Sequence, residues 1–163
     1  MSDVVIAPDD PRAPDVTALL VRHLELMGAT TPPEFVFALD VSALVDPAIT
    51  FCSARRSGVV LGVGALKELD AAHGELKSMH TAAEARGQGI GAAVLGHLVG
   101  LARARGYRRL SLETGSQDAF APARSLYAAS GFSVCGPFGA YPDCSKSVFM
   151  TLALAAGRPS QDL

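Results

Sequence analysis

A glycine-rich turn, Arg86-Gly87-Gln88-Gly89-Ile90-Gly91, is the part of this chain best equipped for chemistry. It follows an extended run, Glu75 to Thr81, and opens an amphipathic run that lasts to Gly106. Amides in the first turn of a helix have no intrahelical acceptor, and the helix dipole adds partial positive charge there. Such a turn seats phosphate oxygens, and glycines remove the Cβ atoms that would hold those oxygens away. Two common phosphate motifs do not fit. A P-loop needs Lys and then Ser or Thr after its last glycine, whereas Gly91 is followed by Ala92-Ala93. The dinucleotide fingerprint needs Gly-x-Gly-x-x-Gly, whereas these glycines are spaced two and two, although Glu113 stands at a tolerable distance for its acidic partner.

The elements that must carry this turn are legible from periodicity. Asp3 to Ala7 reads as a strand. Asp15 to Met27 reads as a helix on Val16, Leu19, Leu20, Leu24 and Met27, with Gly28 ending it. A second helical stretch starts at Thr30-Thr31-Pro32-Pro33 and runs through Phe35, Val36 and Leu39. Ile49 to Arg55 and Val59 to Leu69 are strands joined by a hairpin at Arg56-Ser57-Gly58. In Glu75 to Thr81 the apolar positions Leu76, Met79 and Thr81 break strict alternation, which one inserted residue explains as a bulge. The helix after the turn buries Ile90, Val94, Leu95, Leu98, Leu101 and Ala102. Arg109 to Thr114 is a strand and Ala121 to Ser130 a helix with Pro122 in its first turn. Ser133 to Cys135 and Val148 to Leu154 close the sheet, and a small, polar tail from Ala155 frays.

With 163 residues, 49% hydrophobic and 18% charged, the chain is expected to form one domain over 1–163, with its core at about 4–154. The net charge of −2 argues against a nucleic-acid or anionic-membrane surface. No apolar run reaches the roughly 20 residues that span a bilayer, and Met1-Ser2-Asp3 does not open a secretory signal, so the expected location is cytoplasmic. Cys52, Cys135 and Cys144 form no Cys-x-x-Cys pair, and His23, His73, His80 and His97 show no metal spacing, so no metal is expected.

The pattern Arg86-x-x-Gly89-x-Gly91 resembles the pyrophosphate-binding turn of the GCN5-related N-acetyltransferases. The block Leu126-Tyr127-Ala128-Ala129-Ser130-Gly131-Phe132 is similar to that family's second signature, a helix ending in Leu-Tyr-x-x-x-Gly-Phe. The stretches Gly64 to Leu69, Ser111 to Gly115 and Cys135 to Gly139 resemble a branch of small bacterial acetyltransferases. The resemblance implies an α/β (α+β) fold, with a mixed, mostly antiparallel twisted sheet flanked by helices and a bulged cofactor-binding strand. It implies acetyl-coenzyme A as cofactor. Met79, His80 and Thr81 would meet its pantetheine arm, and Arg86, Gly87, Gln88, Gly89, Ile90 and Gly91 its diphosphate. Tyr127 would face the cofactor sulfur and hydrogen-bond the departing thiolate; a phenol near pKa ~10 does not hand its proton downhill to a thiol near ~8.5.

For the base, the resemblance points to Glu75, then Glu113; His80 has the ordinary pKa closest to neutrality. Aminolysis by positioning alone is also open. Glu75 and Glu113, with Tyr141 and Asp143 from the loop before the last strand, are the candidates for holding an acceptor ammonium. The implied function is N-acetylation of a small-molecule amine by direct attack. A protein lysine or N-terminal acetyltransferase, a non-catalytic acyl-coenzyme A sensor and a nicotinamide-dependent oxidoreductase are the rivals. Many relatives pair, so a homodimer is expected.

Overall fold

In a computed structural model, residues 3–30 and 43–154 are described, without the side chains of residue 24 and residues 26–30. The stretch Thr31 to Leu39 and the tail from Ala155 lie outside the described residues.

Strands β1 (Val4–Pro8), β2 (Ile49–Arg56), β3 (Val59–Asp70), β4 (His73–Thr81), β5 (Arg109–Gly115), β6 (Ser133–Cys135) and β7 (Ser147–Ala153) form one sheet in the order β1-β2-β3-β4-β5-β7-β6. Every neighbouring pair is antiparallel except β4 with β5. A parallel pair needs a crossover, and α2 (Ile90–Ala104) supplies it. The β2–β3 hairpin turns on Ser57 at φ 52° and Gly58 at φ 82°, the backbone of a type I′ turn. Helix α1 (Pro14–Thr30) runs past Gly28, so the glycine predicted to end it lies inside it.

Residues paired across a sheet share a face, which sorts the two sides. Gly62, Gly64, Gly74, Leu76, Leu110 and Leu112 face α2. A Cβ on Gly64 would lie 2.8 Å from Val94 and 3.0 Å from Leu98, both on that helix. Val63, Ala65, Glu75, Lys77, Ser111 and Glu113 face the other way. Val63 is paired with His80, and the His80 ring meets His23 of α1, so α1 covers this second face. The core lies chiefly between α2 and the sheet, with Leu66, Leu95, Leu98 and Leu110 fully buried. Burying side chains of this kind contributes about 1.5–3 kcal/mol each.

Two irregularities open the sheet where the glycine turn meets it. Opposite Val63 to Ala65, β4 runs from His80 to Lys77 and so carries one extra residue. Ser78 sits at φ 56° there, the bulge that the broken alternation predicted. Beside it, the β4–β5 ladder ends at Leu76↔Leu112. Past that point the two strands part, and the opening between them is the candidate site.

Candidate active site

The glycine turn forms one wall. Gly87 and Gly89 have φ of 79° and 80°, and a Cβ at either would meet nothing within 4 Å. At these two positions glycine is required by the left-handed backbone, with open space in front of it. Gly91 is different: its Cβ would approach Leu126 of α3 (Ala121–Ala129) at 3.3 Å, so its absence lets α3 close on α2. Gly89 caps α2, and Ala93 N–H donates to its carbonyl at 3.0 Å. The first-turn amides therefore point into a cleft of about 410 Å³. Met79, His80, Thr81, Arg86, Gly87, Gly89, Ile90, Gly91 and Tyr127 all line it. Gln88 does not. Its side chain is exposed and accepts from Arg56 Nη1 at 2.9 Å, whereas the contact expected of it is through its main-chain amide.

The cleft fits a long anionic ligand on three observations. Backbone donors meet the helix dipole at its mouth, the glycines leave the approach open, and the bulge withdraws part of β4 from its ladder. The Ser78 hydroxyl at the bulge, which lines the smaller cavity next to the cleft, is buried with no hydrogen-bond partner among the described residues.

A second, smaller cavity of about 80 Å³ continues from the cleft between β4 and β5. Tyr127, Met79, His23, Phe120 and Ala123 line both spaces and so form the throat between them. Tyr127 is 6% exposed, and burial pushes its phenol above the ordinary range, so it remains a protonated donor. His23 and His80 approach Nδ1 to Nδ1 at 3.2 Å. One ring must donate and the other accept. Burial lowers His23 to about 4. Burial, aided by His23, Arg86 and Arg22, lowers His80 to about 3. Both rings are neutral at pH 7, which makes them weak bases and removes His80 as the best match to neutrality.

The small cavity holds the carboxylates. Glu75 is 3% exposed, yet its Oε2 accepts from Lys77 Nζ at 3.0 Å and from the Tyr141 hydroxyl. Lys77 Nζ also donates to the Tyr141 oxygen at 2.7 Å, closing a triangle. Glu113, on the parted strand opposite, has its carboxyl raised to about 7. Burial is the main cause, with the Glu75 charge adding to it and Lys77 opposing it. Tyr141 is held by an edge contact with Phe138 and a tilted contact with Phe149, at centroid distances of 5.2 and 5.6 Å. Asp143 is exposed and is not among the described residues that line either cavity.

Sequence reasoning missed Lys77 and His23. Lys77 alternates with Glu75 on a strand and reads as a solvated residue, while His23 is one of four scattered histidines. Among the described residues there is no cluster of His, Cys, Asp and Glu able to hold a metal ion, and no helix is long and apolar enough to cross a membrane.

Comparison with known proteins agrees with this geometry. A profile described as "Acetyltransferase (GNAT) family" matches residues 18–132. The chain is 47% identical to YsnE, an uncharacterised N-acetyltransferase of Bacillus subtilis, over 90% of this chain and 97% of that protein. It is 38% identical to an IAA acetyltransferase of Azospirillum brasilense, over 92% of this chain and 97% of that one. A GNAT family acetyltransferase of Elizabethkingia anophelis, solved with acetyl-CoA bound, shares the fold at TM-score 0.67 and 19% identity, covering 93% of this chain and 98% of that one.

Proposed function

The chain belongs to the acetyltransferase (GNAT) family, and from that premise we propose that it transfers the acetyl group of acetyl-CoA to the primary amine of a small molecule by direct attack. The observation that carries this reading is the pair of connected cavities. A long cleft over the glycine turn and a small carboxylate-lined pocket meet at Tyr127, so donor and acceptor can be held end to end. Acetyl-CoA supplies the activated acyl group as a thioester. Gly87 to Gly91 hold its diphosphate through main-chain amides, with Arg86 beside them and Met79 to Thr81 along the pantetheine arm.

The chain's own groups divide the remaining work. Glu113 is the proton acceptor: it lines the acceptor pocket, and at about 7 its carboxyl is ionised often enough to take a proton near neutral pH. Glu75, the carboxylate favoured by the family resemblance, is held by Lys77 and Tyr141 and serves to orient the ammonium. Tyr127 donates a hydrogen bond toward the departing sulfur, because its buried phenol stays protonated. The neutral His23–His80 pair keeps the throat free of positive charge. Among the described residues, neither cavity includes an extended acidic groove for a polypeptide, which favours a small acceptor over a protein lysine.

The test is release of free thiol from acetyl-CoA by purified protein, with and without a panel of small amines, and detection of the N-acetyl product by mass. IAA, named for the Azospirillum relative, belongs in that panel. Amine-dependent thiol release is expected. Tight CoA binding with no acceptor-dependent release across the panel would establish a sensor instead.

A further inference from the structure

Lys77 places a cation inside the acceptor pocket, where a site for amines has no evident need of one. Its side chain is 7% exposed and lines the same cavity as Glu75, Glu113 and Tyr127. Among the described residues lining that cavity it is the one Lys or Arg. An ammonium carries three donors, and among the described residues two of them go to Glu75 Oε2 and the Tyr141 hydroxyl. The third is left for a ligand. Both bonds that Glu75 accepts fall on Oε2, so Oε1 is left for an ammonium of that ligand.

The charges then set what the pocket will take. Glu75 and Glu113 together offer at most two negative charges, and Lys77 cancels one. With Glu113 ionised, one ammonium balances the remainder; with Glu113 protonated, Glu75 and Lys77 already cancel, and a ligand carrying one ammonium and one carboxylate keeps the pocket neutral. A second ammonium in a cavity of about 80 Å³ would lie beside Lys77 with no counter-charge and little water. A carboxylate there would meet the free Lys77 donor in a charge-assisted hydrogen bond. Because Lys77 and Glu75 are 3.0 Å apart, the two groups of the ligand must be separated by only a few bonds.

We infer that the acceptor is a small amine carrying a carboxylate close to its amino group, and that Lys77 is the residue that selects it over a polyamine. This rests on the acetyl-transfer reading of the site and adds the acceptor's chemical class.

β-Alanine, propanolamine and diaminopropane share a three-carbon spacing and differ only in the charge of the far group. With the wild-type enzyme, kcat/KM for β-alanine is expected to exceed that for diaminopropane at least tenfold, with propanolamine between. Lys77→Met is expected to shrink that ratio below about threefold or invert it, while Lys77→Arg keeps the order. A wild-type preference for diaminopropane, or Lys77 variants that slow all three acceptors equally, would overturn the inference; the second result is what a purely structural lysine gives. Should none of the three release thiol, their binding to the CoA-loaded protein is compared by calorimetry. β-Alanine binding most tightly would then uphold the selection and sink the transfer reading. Diaminopropane binding most tightly, or none binding, would sink the selection itself.

Discussion

Replacing Glu113 with Gln should remove an activity and add stability, and both effects should be largest above the same pH. The carboxyl is raised from an ordinary value of 4.5 to about 7, mainly by burial. In wild type, kcat should therefore climb about tenfold per pH unit below 7 and level off above it. About a tenth of the carboxyls are ionised at pH ~6 and about nine tenths at pH ~8. Glu113→Gln should lower kcat by roughly a hundredfold, the scale of a lost general base, and erase that limb.

The acceptor amine also titrates. Amines of different basicity separate the two, because the Glu113 limb stays near 7 while the amine's limb moves with its own pKa.

Linkage gives the stability side. A group whose folded pKa is raised contributes stability that is present below its unfolded pKa and lost as pH rises through the folded one. For Glu113 that window runs from 4.5 to about 7. The rise corresponds to at most about 3 kcal/mol. Solvent screening of a carboxyl that keeps some exposure cuts this by about half. At about 2–4 °C per kcal/mol, Glu113→Gln should melt about 3–6 °C above wild type at pH 8.5 and level with it near pH 5. A limb near pH 7 that survives in the variant, or a melting difference that is the same at both pH values, would refute the assignment.

Tyr127→Phe should lower kcat by about ten- to a hundredfold while leaving CoA affinity within about threefold, checked by steady-state kinetics and calorimetry, since it deletes one donor at the throat and keeps the buried ring. Gly64→Ala should destabilise the protein by about 1–3 kcal/mol, seen as a melting shift of about 2–12 °C. Its Cβ would fall 2.7 Å from the Met79 sulfur and 2.8 Å from Val94. Met79 can move, whereas the β-branched Val94 on α2 cannot yield as readily. Displaced Met79 should also weaken CoA binding, because it lines the cofactor cleft.

How far the sequence discloses this site depends on the range of the contact. The glycine turn, the bulge and the helix that follows are local: the left-handed glycines and the broken alternation are visible within 20 residues. Tyr127 is found because its helix signature is also local. The Glu75–Lys77–Tyr141 triangle is not, because Lys77 and Tyr141 are 64 positions apart and only the β4, β5 and β7 pairings bring them together. His23 and His80 are 57 apart and meet through the packing of α1 on β4, which no periodicity states. The reordering of the two glutamates has the same origin. Glu75 sits in the position that the family pattern favours for a base, but a lysine two residues later turns it into an ion pair, and burial on the neighbouring strand raises the Glu113 carboxyl to about 7, which is why the proposed mechanism gives Glu113 the proton.

The central claim is that main-chain amides at the start of α2 hold the CoA diphosphate, and calorimetric titration of CoA into wild type and Gly89→Glu tests it most directly. Gly89 is exposed, with nothing within 4 Å of a Cβ, so the variant should remain folded despite about 1–2 kcal/mol of backbone strain. A carboxylate at that helix start should repel the diphosphate and weaken binding at least a hundredfold. Wild-type protein that ignores millimolar CoA, or a folded Gly89→Glu that binds it as wild type does, would contradict the account.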